Sequence, residues 1–154
     1  MNRQLPQRGM TLMELMIVVA IVGILGAVAY PGYSSYIQRG RITEATSTLS
    51  EFRIKLEQYY QDNRHYGSTD AACGVAMPTG PAAQYFAYTC NWSGSGGATG
   101  TNQSFRITAT GVSGQGMGGF AFSIDQANLK QTTAFPGASG LPKGCWIWKK
   151  GDSC

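Results

Sequence analysis

From Leu15 to Ile37 the chain runs for 23 residues without a charge. At 1.5 Å of rise per residue, a helix of that length spans the roughly 30 Å hydrocarbon core of a bilayer. No other stretch constrains the fold as strongly, and it divides the 154 residues into one membrane-spanning helix and one small domain. Only MNRQLPQRG and a few further residues precede the run. Its basic residues, Arg3 and Arg8, keep this end in the cytoplasm under the positive-inside tendency and send the remainder across.

That topology makes the cysteines readable. Cys73, Cys90, Cys145 and Cys154 all fall on the translocated side, with no CxxC pair to suggest zinc or a thioredoxin-like centre. Two disulfides in an oxidising compartment follow. Three pairings are possible; nearest-neighbour closure joins Cys73 to Cys90 and Cys145 to Cys154, rings worth about 3 kcal/mol each in the chain-entropy model. Charge says less. Lys and Arg number 12 against 8 Asp and Glu, and loss of Arg3 and Arg8 would lower the formal balance of +4 to +2. A global nucleic-acid footprint is absent from such a balance.

A secretory signal places its small-residue cleavage site after the apolar stretch. Here the order is inverted, with Gly9 standing after Arg8 and before the apolar run. Cleavage after Gly9 would remove residues 1–9 and leave the apolar helix as the new N-terminus, with a free amine on Met10. Four residues on stands Glu14. A carboxylate close to the bilayer interior costs a few kcal/mol on insertion scales and generally has a partner. The Met10 amine of a neighbouring chain would be such a partner, and the pair would set the axial offset between two helices.

The stretch RGMTLMELMIVVAIVGILGAVAYPGYSSY resembles the class III signal and N-terminal helix of type IV pilins. Gly9 matches the residue before the cleaved bond, Met10 the first mature residue (usually phenylalanine in that family), Glu14 the fifth mature position and Pro31 the twenty-second. The resemblance implies cleavage by a membrane prepilin peptidase, N-methylation of Met10 and a need for Glu14 in assembly. It also implies a pilus assembly machinery with an ATPase, a platform protein and a secretin. Such a subunit waits in the inner membrane as a single-pass protein and then joins other pilin subunits in an extracellular fibre.

Pro31 and Gly32 interrupt the apolar run, where a bend or an unwound turn is expected because proline removes a helical hydrogen bond. Beyond them Ile42, Ala45, Leu49, Phe52, Leu56 and Tyr59 recur at spacings of three and four, an apolar stripe on an amphipathic continuation of the same helix. The segments are thus 10–37 for the transmembrane and assembly helix, 38–67 for the amphipathic helix, which stops at Gly67, and 68–154 for a sheet region. EQYYQDNRHYGS resembles the end of the pilin helix. Candidate strands are 85–92, 104–110, 119–125, 128–133 and CWIWKK at 145–150, with Phe105, Ile107, Ala109 and Phe120, Phe122, Ile124 alternating against polar neighbours. The predicted class is α+β, an antiparallel sheet with one face laid on a long helix and a C-terminal region closed by a disulfide. The tail resembles the C-terminal part of minor pilin E.

Nothing in the pattern calls for catalysis, a cofactor or a metal. His65 is the sole histidine, and a hydrolytic triad or multi-histidine metal site needs companions. SGSGGATGTNQ and GVSGQGMGG read as hairpin connections, since neither opens a helix after a strand within a βαβ unit. One candidate binding surface stands out, KGCWIWKKGDSC, where Lys143, Lys149 and Lys150 flank Trp146 and Trp148. Cations beside aromatic rings hold phosphates and stack on bases. The alternative is a terminal strand whose tryptophans pack inward while its lysines guard an exposed edge. On residues alone the packing reading is preferred. The functional order is then a fibre subunit, a minor one by resemblance, ahead of a DNA-binding pilin and a type II secretion pseudopilin.

Overall fold

The computed structural model describes residues 9–69, 72–92 and 101–154, and the side chains of all of these except Tyr30 and Pro31. Arg3, Arg8, Asp70 and most of the first glycine-rich connection therefore lie outside the described residues. The chain divides after Ile37 into two compact units.

One helix, α1, runs from Leu12 to Asn63, 52 residues. Its start reads Thr11-Leu12-Met13-Glu14, a capping-box sequence. The Glu14 amide donates to Thr11 Oγ1 at 3.2 Å, and Glu14 lies in the first turn, where a carboxylate complements the helix dipole. The expected unwound turn at Pro31 is not formed, because the chain stays helical through Pro31 and Gly32. Proline deletes a single N–H donor, and unwinding an apolar segment would leave further backbone groups unpaired. In the first unit the side chains from Met10 to Val28 are exposed, among them Leu12, Ile17, Ile21 and Leu25.

The second unit, Gln38–Cys154, holds the core. Ile42, Ala45, Leu49, Phe52 and Leu56 are buried, the stripe that three- and four-residue spacing places on one helix face. Tyr59, expected to continue it, is only half-buried; Tyr60 packs on the core instead, its ring 4.6 Å from that of Tyr66. The helix ends earlier than Gly67. Arg64 takes the left-handed conformation, φ 61°, and its amide donates to Tyr60 O at 2.7 Å. Gly67 serves another purpose, since a Cβ there would stand 2.7 Å from Ala72 O and 3.1 Å from Cys73 Cα. The returning chain passes too close for a side chain.

Four strands follow, β1 Phe86–Asn91, β2 Arg106–Gly111, β3 Ala121–Asp125 and β4 Lys130–Ala134. They form an antiparallel meander in chain order, in which Ile107 faces Cys90 on one side and Ile124 on the other. Phe105, Ile107, Ala109, Phe122 and Ile124 are fully buried beside the helix stripe, the alternation that a half-covered sheet requires. β3 departs from that pattern. Ser123 and Asp125 are buried too, so this strand is covered on both faces. Asp125 organises the β3–β4 turn, accepting the Leu129 amide at 2.9 Å while Asn128 adopts φ 59°.

The expected fifth strand, 145–150, is not formed. Lys143 and Thr132 exchange both backbone hydrogen bonds at 3.0 Å, and the ladder goes no further. Thr132 Oγ1 then donates to Cys145 O and accepts the Ile147 amide, while Asp152 accepts the amides of Trp148 and Lys149. Side chains meet these backbone groups, so no neighbouring strand is needed. The bridges are Cys73–Cys90 and Cys145–Cys154, with Cα atoms 5.6 and 5.7 Å apart, and they are the nearest-neighbour pairs.

Candidate assembly terminus and nucleic-acid interface

The sequence singled out two groups of residues, one in each unit. At the terminus Gly9 and Met10 are exposed ahead of the first helical turn, and a Cβ on Gly9 would meet nothing. The glycine is therefore not required by packing within the chain. Glu14 projects from the first turn among exposed Met13, Leu15 and Met16. Its backbone amide is held by Thr11, a partner that the T-x-x-E spacing could have revealed.

The second group surrounds the Cys145–Cys154 ring, and the two tryptophans fare differently. Trp146 is 7 % exposed, with its indole N–H donating to Ser123 O at 3.0 Å and Lys130 Nζ 4.9 Å from the ring centre. Trp148 is 43 % exposed. A strand would have put both on one face; the turn that replaces it separates them. Asp152 makes that turn. Its carboxyl is held below the ordinary range, first by the Trp148 amide and then by the Lys149 amide, the Lys149 ammonium and Arg39, against partial desolvation.

Lys149 stands 3.8 Å from Asp152. Lys143 and Lys150 line the same cleft as Asp152, yet neither is ion-paired among the described residues. From Arg106 to the C-terminus there are five basic residues against two acidic ones, and of the two Asp125 is buried while Asp152 faces Lys149. The helix balances its charges instead. Lys55 pairs with Glu51 at 2.6 Å and Arg53 with Glu57 at 4.0 Å. His65 lies at the helix end with its ring 5.8 Å from that of Tyr59. Lys130 was missed as a member of the basic group because only the β3–β4 turn brings it to Trp146.

A membrane-length apolar helix continuing into an amphipathic half that covers an antiparallel meander is the architecture of a pilin. Residues 5–30 match the prokaryotic N-terminal methylation motif, and residues 31–118 match the sequence model described as "Type IV minor pilin ComP, DNA uptake sequence receptor". The second match spans more than half of the chain, and the protein belongs to that family of type IV minor pilins. The C-terminal basic group lies beyond the matched residues.

Relatives agree on the class. The fimbrial protein EcpC of Eikenella corrodens is 33 % identical over 70 residues, 46 % of each chain. The type IV major pilin protein PilE1 of Neisseria gonorrhoeae is 42 % identical over 72 residues, 47 % of this chain and 44 % of the relative. This chain thus matches somewhat less than half the length of either relative. Among solved structures, the non-core minor pilin PilV of Neisseria meningitidis superposes with a TM-score of 0.50 at 14 % identity, covering 66 % of this chain and 92 % of the other, a likeness of fold.

Proposed function

We propose that this chain is a minor fibre subunit that also captures DNA outside the cell. It enters the inner membrane as a prepilin with its N-terminus in the cytoplasm. A prepilin peptidase cuts after Gly9, Met10 is methylated, and the assembly machinery draws the processed subunit into a pilus among other pilins. In the fibre Glu14 meets the terminal amine of a neighbour, which neutralises a carboxylate otherwise isolated in an apolar bundle. The single observation that supports DNA capture is the match over residues 31–118 to a family described as a DNA uptake receptor. It raises the receptor reading from the second place that the residues alone gave it.

Intact mass of the subunit in sheared fibres tests the first half. A methylated chain beginning at Met10 is expected, and retention of residues 1–9 would refute processing. Glu14→Val should insert and be cleaved but reach fibres at a small fraction of the parental level; equal incorporation would leave Glu14 with its place in the first helical turn alone. DNA capture is tested by anisotropy with labelled duplex near physiological salt. Absence of binding at micromolar protein would leave a purely structural subunit.

A further inference from the structure

A cleft of about 200 Å³ opens between the turn at Gly137–Ser139 and the turn at Lys150–Ser153, with Lys143 also lining it. Lys143 is fixed at the backbone by its two hydrogen bonds with Thr132, so its half-buried side chain starts from a set point beside β4. Lys150 comes from the other turn. Its Cδ and Cε lie 3.3 Å, and its Nζ 3.5 Å, from where a Cβ on Gly137 would stand. Gly137 has φ +73°, a conformation that strains any side chain, and its bare backbone is what lets the lysine cross.

Among the described residues that line the cleft the one side-chain carboxylate, Asp152, is already committed. Asp152 accepts the amides of Trp148 and Lys149 at 3.1 Å each and faces the Lys149 ammonium. Two lysines therefore line one small cleft with no ion-pair partner among the described residues, which leaves their charge available to an anion. Ser139 and Ser153 add hydroxyl donors to the same walls. Two lysines and two serines on the walls of one cleft offer several donors, which suit a tetrahedral anion with several acceptor oxygens better than a planar carboxylate.

We propose that this cleft seats a single phosphate group, with Lys143 and Lys150 as its counter-charges. On the DNA reading given above, on which the source of the ligand rests, the group is a backbone phosphodiester; the same chemistry would accept inorganic phosphate. The seat supplies affinity and not base identity, because phosphate contacts carry no sequence information.

The test uses the mature chain in maltoside micelles, which contain no phosphate, with two probes: a labelled duplex and inorganic phosphate. Lys143→Ala with Lys150→Ala should weaken duplex binding and flatten the plot of log K against log salt by about 0.9, the contribution of one phosphate. Lys55→Ala, which removes a lysine paired with Glu51, should change neither. Phosphate should shift the amide resonances of Gly137, Ser139 and Gly151 saturably in the parent and not in the double variant, with chloride at equal ionic strength as control. If the alanine pair disturbs folding, Lys143→Gln with Lys150→Gln keeps most of each stem and reads the same loss.

A double variant that binds duplex like Lys55→Ala, with no phosphate shifts in the parent, overturns the seat while the DNA reading stands. Saturable phosphate shifts without duplex binding uphold the seat with free phosphate as its source, and the DNA reading falls. A flattened salt slope without inorganic phosphate binding upholds it for the DNA backbone alone. Neither duplex binding nor phosphate shifts overturns both.

Discussion

The two units of this chain solve the same problem, an excess of apolar surface, in opposite ways. From Met10 to Val28 the apolar helix keeps its side chains exposed; Ile24 is 67 % exposed and Val28 75 %. From Gln38 onward the five-residue helix stripe, three strand faces and Trp146 close on one another, and both disulfides lie inside that unit. The second unit is complete as a fold, whereas the first is completed by its surroundings. A helix with apolar residues on every side has no surface for water, and membrane or like helices are what can cover it.

The sharpest way to break this contrast is to make the same kind of deletion in both units. Leu49→Ala removes a fully buried side chain and should lower the stability of a Gln38–Cys154 fragment by about 2–5 kcal/mol in urea unfolding. Ile24→Ala in the whole chain should leave the unfolding of the sheet unit unchanged. A large effect of Ile24→Ala would mean that the units are not independent.

Next in size come the bridges. Removing Cys73–Cys90, with 17 residues of separation, should cost about 3 kcal/mol, and removing Cys145–Cys154, with 9, slightly less. Opening the second should also alter the exposure of Trp148, readable as a shift in its fluorescence, while Trp146 stays anchored to Ser123. Equal losses of membrane insertion and sheet stability would contradict the confinement of both bridges to the second unit.

A pH effect of about 2 kcal/mol at most sharpens the picture of the core. Tyr66 is pushed up to about 12 by burial first, then by the Glu57 carboxylate, to which its hydroxyl donates at 3.2 Å. Its folded value exceeds the unfolded one near 10, so the stabilisation it brings is complete below pH 10 and is lost as pH rises towards 12. Tyr88 is shifted in the same direction, mainly by burial. Tyr66→Phe should make the decline of stability over pH 10–12 shallower, and an unchanged slope would remove Tyr66 from this account.

The smallest effect belongs to the first unit. Thr11→Ala should loosen only the first turn of α1, by about 0.5–1 kcal/mol, seen as faster amide exchange at Glu14 in micelles with no change in the sheet unit.

What the sequence determined by itself was whatever depends on residues close along the chain. The uncharged run, the inverted order of Arg8, Gly9 and the apolar stretch, the 42–56 stripe and the alternation at Phe105–Ala109 are local patterns, and local patterns set which segments form helix, strand or a membrane-length run. The T-x-x-E cap belonged to the same class of signal and was overlooked because Glu14 already had a role. The tertiary structure decided what depends on partners distant in sequence. CWIWKK has strand-forming residues, yet the side chains of Thr132 and Asp152 satisfy its backbone in place of a ladder, so Trp146 turns inward and Trp148 outward. Gly67 looked like a helix stop, but Arg64 ends the helix and Gly67 yields to the chain at Ala72. The cleft holding Lys143 and Lys150 is the plainest case, since its walls come from two turns that adopt positive φ at Gly137 and Gly151. Spacing along a chain encodes which face a side chain takes, and only closure of the fold brings two lysines seven residues apart to the walls of one cleft.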